Sequence, residues 1–303
     1  MSFSYIFQYH IPVNGLREEK MQIVSEKRCV IGEGPIWNDK EKRLYYTNGM
    51  GGNELCILDI YTGKLEVRPL KIGSAAYAFD KKNRLIVSRP DGIFILRDDD
   101  TTEELYDSAE YSILYANDMK VGPDGNIYVG TQSGKRKGIS DKIDGKLYSI
   151  DKNGNVRILL DNMILSNGLE WSVDEKRFYH TDSDTGIIKE YDFDKISGNI
   201  SFTGRQVQVH GVDGFTIDNN DMLYIGCWGQ SHIAVVDTLS MSVVDHIPVP
   251  TRIPTSCGFA GNDMEMLIVV TASFTADLNE DENAGFTFMK RMNISGRKPY
   301  LFG

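Results

Sequence analysis

Cysteine is scarce in this 303-residue chain, and no spacing pattern gives it a structural role. Cys29, Cys56, Cys227 and Cys257 are scattered, with no C-x-x-C pair. That argues against a zinc knot or a disulfide framework and favours buried free thiols in a reducing cytoplasm. Basic charge is also in short supply: 33 Lys and Arg face 43 Asp and Glu, a formal net charge of −10. Nucleic acid is therefore not expected as a partner, because there is no basic excess to displace counterions. The run Lys135-Arg136-Lys137 is too short to reverse this. No apolar stretch approaches the roughly 20 residues that span a bilayer, so no membrane partner is expected. The N-terminus, MSFSYIFQYHIPVNG, lacks a basic start, an unbroken apolar centre and a small-residue cleavage site, so it does not read as a signal peptide. A G-x-S-x-G elbow is missing too, which leaves a serine triad without support.

What the chain does have is a repeat. Six segments share one pattern: IWNDKEKRLYYTN from Ile36, AFDKKNRLIVSRP from Ala78, KVGPDGNIYVGTQ from Lys120, EWSVDEKRFYHTD from Glu170, TIDNNDMLYIGCW from Thr216 and GFAGNDMEMLIVV from Gly258. Each reads as a strand end, a turn rich in Asp, Asn, Gly or Lys, and a β-branched and aromatic strand. The second residues are Trp37, Phe79, Val121, Trp171, Ile217 and Phe259, a repeat about 40–50 residues long. With no convincing long amphipathic helix, that period predicts an all-β chain: a six-bladed β-propeller of four-stranded antiparallel blades. Further strands fit within NELCILDIYTGKLEVRPL and GIIKEYDFDKISGNISFTGRQV. The last blade lacks a fourth strand, and KMQIVSEKRC precedes the first. This N-terminal strand is expected to complete the last blade and close the ring, removing an open sheet edge. Residues 1–303 are read as a single domain. A β-sandwich has no reason to keep such a period.

In a propeller, equivalent positions of the innermost strands face the central channel. Four residues before each marker stand Glu33, Ala75, Asn117, Asn167, Asp213 and Thr255. Four of these carry carboxylate or amide oxygens, and converging oxygens from Glu, Asn, Asn and Asp suit a hard divalent cation completed by water. No His or Cys shares the ring, which argues against a structural zinc site. A polar lining of a water-filled channel is the alternative for any one of these residues; the aligned set favours metal. Extending the hairpins places Asn48, Pro90, Gln132, Asp182 and Trp228 near the same mouth, with Arg89 beside Pro90. Asp182 is a candidate supporting carboxylate or weak base. His180 shares a strand face with it but reads as a packed histidine.

These residues also carry a resemblance. GEGPIWNDKEKRLYYTN, NDMKVGPDGNIYVGT, SNGLEWSVDEKRFYHTDS, VDGFTIDNNDMLYIGC and PTSCGFAGND resemble the successive signatures of the SMP-30/gluconolactonase/regucalcin-like family, from about Cys29 to Thr271. The resemblance implies a six-bladed propeller holding one divalent metal at the channel mouth, in enzymes that hydrolyse sugar lactones. It implies Glu33, Asn167 and Asp213 as metal ligands, and Asn117 as a residue that binds substrate or water. Two residues before Asn117, where sugar-lactonase relatives carry an Arg that contacts substrate hydroxyls, this chain has Tyr115. Met119 stands where Gly is common. Lys135 lies near the place where some relatives have an acidic substrate contact. Tyr115 and Lys135 are therefore candidate substrate contacts of altered character, and a basic loop over the mouth favours an anionic lactone.

The expected chemistry is metal-assisted hydrolysis of a small-molecule lactone, with Ca²⁺ the first expectation and Mg²⁺, Mn²⁺ or Zn²⁺ the alternatives. Asp213 is the candidate general base, and Asn117 orients the carbonyl or a ring hydroxyl. The competing readings are an organophosphate or phosphotriester hydrolase using the same metal, and a non-enzymatic calcium-binding propeller.

Overall fold

The computed structural model describes residues 20–109 and 111–303. The chain is almost wholly β. Strand β1 (Gln22–Ser25) comes first, and the first blade follows as β2 (Ile31–Asn38), β3 (Arg43–Gly49), β4 (Glu54–Leu58) and β5 (Leu65–Pro69). The second blade is β6 (Ala76–Phe79), β7 (Leu85–Arg89), β8 (Gly92–Leu96) and β9 (Thr102–Glu104). The third is β10 (Ala116–Val121), β11 (Ile127–Thr131), β12 (Gly145–Ile150) and β13 (Val156–Met163), with a single helical turn, α1 (Gly134–Lys137), after β11. Blade four is β14 (Ser166–Trp171), β15 (Arg177–Asp182), β16 (Ile187–Asp194) and β17 (Asn199–Gln208). Blade five is β18 (Val212–Ile217), β19 (Met222–Cys227), β20 (His232–Asp237) and β21 (Ser242–Pro248). The sixth has β22 (Pro254–Ala260), β23 (Met266–Thr271) and β24 (Thr287–Arg291) from its own stretch of chain.

The fourth strand of that last blade is β1, which pairs antiparallel with β24 through Gln22↔Met289 and Ile23↔Phe288. The chain thus closes its own ring, as the sequence predicts, and neither end of the array is left as an unpaired edge. The first strand of every blade touches the first strands of both neighbours, in a closed circuit from β2 through β6, β10, β14, β18 and β22 back to β2. This is the six-bladed propeller, with those strands lining its axis.

The repeat has a local cause. One residue after the marker, a short polar side chain folds back on the hairpin turn. Asn38 Oδ1 accepts from the amides of Lys40 and Glu41, both at 3.0 Å. Asp80 Oδ1 accepts from Lys82 at 2.9 Å and Arg84 at 2.7 Å. Ser172 Oγ accepts from Lys176 and Arg177, and Asp218 Oδ1 from Asn220 and Met222. Such side chains mimic a backbone turn, so four of the six first hairpins are specified by this position; blades three and six have Gly122 and Ala260 there. The markers themselves pack between blades. Trp171, fully buried, meets Tyr128 of blade three edge-on at 4.8 Å between ring centroids.

The C-terminal segment runs across the end of the channel where these turns lie. Asn219 donates its backbone amide to Ser295, Phe302 donates to Phe79, and Gly303 donates to Gly125. It therefore ties blades two, three and five together beneath the axis.

Candidate functional site

Glu33, Asn117, Asn167, Asp213 and Thr255 all lie on the axial strands, and Ala75 immediately precedes β6. In five of the six blades the ladder slips at this level: between Glu33 and Ile36, Ala116 and Met119, Asn167 and Leu169, Val212 and Phe215, and Pro254 and Ser256. The exception is blade two, which has Ala75 in the ring and a regular ladder. A bulge adds one residue to the axial strand and re-aims its side chains. Gly34 (φ 56°) and Gly168 (φ 51°) supply the left-handed backbone that two of these bulges need.

The bulges correct one expectation. Glu33 pairs with Thr47, not Asn48, and Asn167 with Thr181, not Asp182. The extra residue shifts the partners by one, so the expected second tier is turned to other tasks. Asp182 accepts the amides of Ile164 and Leu165 at 2.9 and 3.0 Å, which occupies both carboxylate oxygens in holding the chain into β14. Asn48 accepts from Val30 and donates to Glu54. Arg89 is paired with Asp91 and stacks on Phe94, and Trp228 packs with Ile31, Ile253 and Ala272. Gln132 does reach the ring: its Nε2 donates to Asn117 Oδ1 at 3.1 Å. His180 is buried, with Nε2 2.8 Å from Ser166 Oγ, and burial followed by the charge of Lys189 holds its imidazole down to about 3. It stays neutral, as a packed histidine does.

At the ring, Asn167 Nδ2 donates to Asp213 Oδ1. Asn117 Nδ2 donates to the Ser166 carbonyl at 3.2 Å. Asp118, beside Asn117 in the bulge of β10, joins the acidic group, although the four-residue register passes over it. Its signal is the acid that directly follows Asn117 inside a strand. Burial pushes Glu33 well above the ordinary carboxylate range, and the charges of Asp213 and Asp118 push it further. Asp213 is raised to about 7 by burial and then by Asp118, while the Asn167 bond and the charge of Arg136 pull the other way. Asp118 is raised by burial against the opposing pull of Lys120. Glu33 and Asp213 are thus raised by burial and by neighbouring carboxylate charge, with too little positive charge nearby to offset it.

Below this group the axis holds a charge ladder. Lys120 Nζ donates to Glu170 Oε2 at 2.8 Å and to the Phe215 carbonyl at 2.7 Å. Arg297, from the C-terminal segment, binds Glu170 Oε1 and donates to the Trp171 carbonyl at 2.9 Å. Burial opposes ionisation of Glu170, but Lys120 and Arg297 together outweigh it and hold the group low. A cavity of about 80 Å³ lies here, lined by Asp118, Lys120, Glu170 and Arg297 among apolar neighbours such as Trp37 and Phe259.

Of the expected substrate contacts, Tyr115 (φ 58°) sits just before β10, and Lys137 Nζ lies 5.8 Å from its ring centroid. Lys135 is exposed on α1, and the cation of that turn whose charge acts on Asp213 is Arg136.

The donor set fits a hard divalent cation. It is made only of carboxylate and amide oxygens, and the mutual repulsion of Glu33, Asp118 and Asp213 is what a cation would relieve. Half a turn of the Asn167 amide would present Oδ1 in place of Nδ2. Among the described residues no group of three His, Cys, Asp or Glu side chains is gathered closely enough to hold an ion by itself.

The family pattern described as SMP-30/Gluconolactonase/LRE-like region matches residues 31–273. The chain is 32% identical over 293 residues to YvrE of Bacillus subtilis strain 168, provisionally named a sugar lactone lactonase, covering 92% of this chain and 97% of that one. It is 26% identical to regucalcin of Gallus gallus over 298 residues, covering 93% and 98%. Among solved structures, the calcium-binding protein regucalcin from Agrobacterium tumefaciens strain C58 superposes with a TM-score of 0.84 at 21% identity, covering 94% of this chain and 98% of that one. At that identity the likeness shows the fold.

Proposed function

This chain belongs to the SMP-30/gluconolactonase/LRE-like family, and from that membership we propose that it is a metal-dependent lactonase, opening a sugar-acid lactone or a related cyclic ester. The observation that carries the reading is the contact of Asn167 with Asp213 at one end of the channel, with the charges of Asp213 and Asp118 acting on Glu33. Glu33, Asn167 and Asp213 are the residues that would hold the cation, with Ca²⁺ the first choice for an all-oxygen set. The cation supplies Lewis acidity, polarising the lactone carbonyl and making a nearby water more acidic.

The side chains do the rest. Asn117, fixed by Gln132 and the Ser166 carbonyl, orients the carbonyl or a ring hydroxyl. With the Asn167 amide turned so that its oxygen faces the cation, one carboxylate oxygen of Asp213 would hold the cation and the other would take the proton of the attacking water. Water adds to the carbonyl carbon, the ring C–O bond breaks, and the same proton passes to the departing ring oxygen. The product is an open hydroxy acid. The four free, buried cysteines support a reducing, cytoplasmic setting, and the closed ring supports a single propeller domain as the working unit.

The test is a panel of aldonolactones, aliphatic and aromatic lactones and a fluorophosphate, run on cation-stripped protein with Ca²⁺, Mg²⁺, Mn²⁺ or Zn²⁺ restored in turn. Lactone opening restored by one of these cations is the expected result. A fluorophosphate turned over faster than every lactone would make the protein a phosphotriester hydrolase. Tight cation binding with no ester turnover would make it a binding protein.

A further inference from the structure

The turn α1 presents Lys135, Arg136 and Lys137 in succession, all exposed, on a chain that is otherwise acidic. It is not a free loop. Gln132 holds Asn117 at 3.1 Å, and the next residue, Ser133, donates its amide to the Ile164 carbonyl at 2.9 Å, three residues before Asn167. Ser133 Oγ caps the turn through the Arg136 amide at 3.1 Å, and Asp144 Oδ1 accepts the Gly134 amide at 2.8 Å. The turn is thereby fixed at the mouth where blades three and four meet the acidic group.

Its cations are unspent. Arg68, Arg177, Arg205 and Arg291 are each tied to a carboxylate. Among the described residues, Lys135, Arg136 and Lys137 make no ion pair; Lys137 instead faces the Tyr115 ring. Asp144, in the loop that follows the turn, is engaged by the Gly134 amide. The Gln132 contact with Asn117 and the Ser133 contact with Ile164 set the turn beside the strands that carry Asn117 and Asn167. A neutral sugar lactone offers a guanidinium only hydroxyls. A carboxylate or phosphate ester offers two oxygens in the geometry of its donor fork. Three cations at a mouth on a negatively charged body also draw anions to that point.

We propose that Arg136, supported by Lys135 and Lys137, forms an anion subsite that selects lactones bearing a second acidic group, a carboxylate or a phosphate ester, over neutral sugar lactones. This rests on the lactonase reading above, and it moves the anion contact from Lys135 to its neighbour.

The experiment compares a neutral gluconolactone, an aldaric acid lactone and a phosphorylated gluconolactone on Ca²⁺-loaded wild type and Arg136→Ala, at low and high salt. Expected are a preference of about tenfold or more for one or both anionic lactones and, in the variant, a loss in their kcat/KM roughly 10–100-fold greater than any change on the neutral lactone. High salt should shrink the preference. Whichever anionic lactone loses most identifies the group recognised. Equal efficiency on neutral and anionic lactones in wild type, or equal losses in the variant, would overturn the subsite. A second arm needs no turnover: calorimetric binding of gluconate against glucarate and phosphogluconate with Ca²⁺ in excess. If no lactone is opened, the lactonase reading fails. The subsite then stands if a dianion binds about tenfold tighter than gluconate and the gap closes in Arg136→Ala, and it falls if there is no gap.

Discussion

Asn167 donates its side-chain amide to Asp213, joining the fourth and fifth blades at the mouth of the channel. The bond lowers the acidity cost of Asp213 but does not cancel it, because burial and Asp118 still raise that carboxyl to about 7. A neutral amide holds the acid in place without neutralising it, and the remaining charge is left for a cation.

The sign of the pH dependence follows. An unfolded Asp titrates near about 3.9, so the cation-free folded state keeps its proton on Asp213 to higher pH than the unfolded chain does. The stability this contributes is complete below about pH 4 and is lost as pH rises through about 7. The melting temperature of cation-stripped protein should therefore fall between about pH 5 and about pH 8. The gain on adding Ca²⁺ should be larger at the higher pH, where the ionised carboxylate needs a partner. Scanning calorimetry measures both, and equal gains at the two pH values would contradict the site.

Asp213→Asn separates stability from function. It removes one of three repelling carboxylates and keeps a group that can still meet Asn167. Cation-free protein at about pH 8 should become more stable by roughly 1–3 kcal/mol, while lactone turnover falls by about a thousandfold or more and the Ca²⁺-dependent rise in melting temperature disappears. Denaturant unfolding and kinetics on one preparation provide the comparison. Retained turnover would remove Asp213 from the reaction.

Gly168→Ala tests the bulge. Gly168 has φ 51°, and a Cβ there would lie 2.1 Å from Phe215 Cε1 of the neighbouring blade. Phe215 is buried and cannot swing away. The substitution should cost about 2–4 kcal/mol and weaken Ca²⁺ binding, because Asn167 is aimed by the same bulge. Unfolding and calorimetric titration together check it; a stable variant with unchanged affinity would show the bulge to be incidental.

Much of this was legible in the sequence, and the exceptions share a cause. The turn side chains Asn38, Asp80, Ser172 and Asp218 write the period into the chain, so the blade count and the ring register could be read directly. Closure by β1 followed from the missing fourth strand. A four-residue register holds only where the axial strands are regular, however, and a bulge is a backbone feature marked in the sequence only by Gly34 and Gly168. Hence the one-residue error at Asn48 and Asp182, and the oversight of Asp118. Arg297 was out of reach for a different reason: its contact with Glu170 spans 127 residues of chain and belongs to no repeat.

That contact makes its own prediction. Glu170 is buried and held between Lys120 and Arg297, so its charge depends on both cations. In Arg297→Met, Glu170 keeps only Lys120, which is also the cation that offsets Asp118. Removing one member of a buried ionic group leaves charge that neither water nor a partner can satisfy, and a loss of about 2–4 kcal/mol is expected. Part of that loss is not specific to the ion pair, since Arg297 also donates to the Trp171 carbonyl. Arg297→Met combined with Glu170→Gln removes the stranded charge and should recover about 1–2 kcal/mol of the deficit. A double-mutant cycle in urea measures this coupling. Additive effects would mean that the Arg297–Glu170 pair adds nothing to the segment's other contacts, such as those of Ser295, Tyr300, Phe302 and Gly303. Coupled effects would make the ladder the link through which the last residues of the chain support the acidic group at the opposite end of the channel.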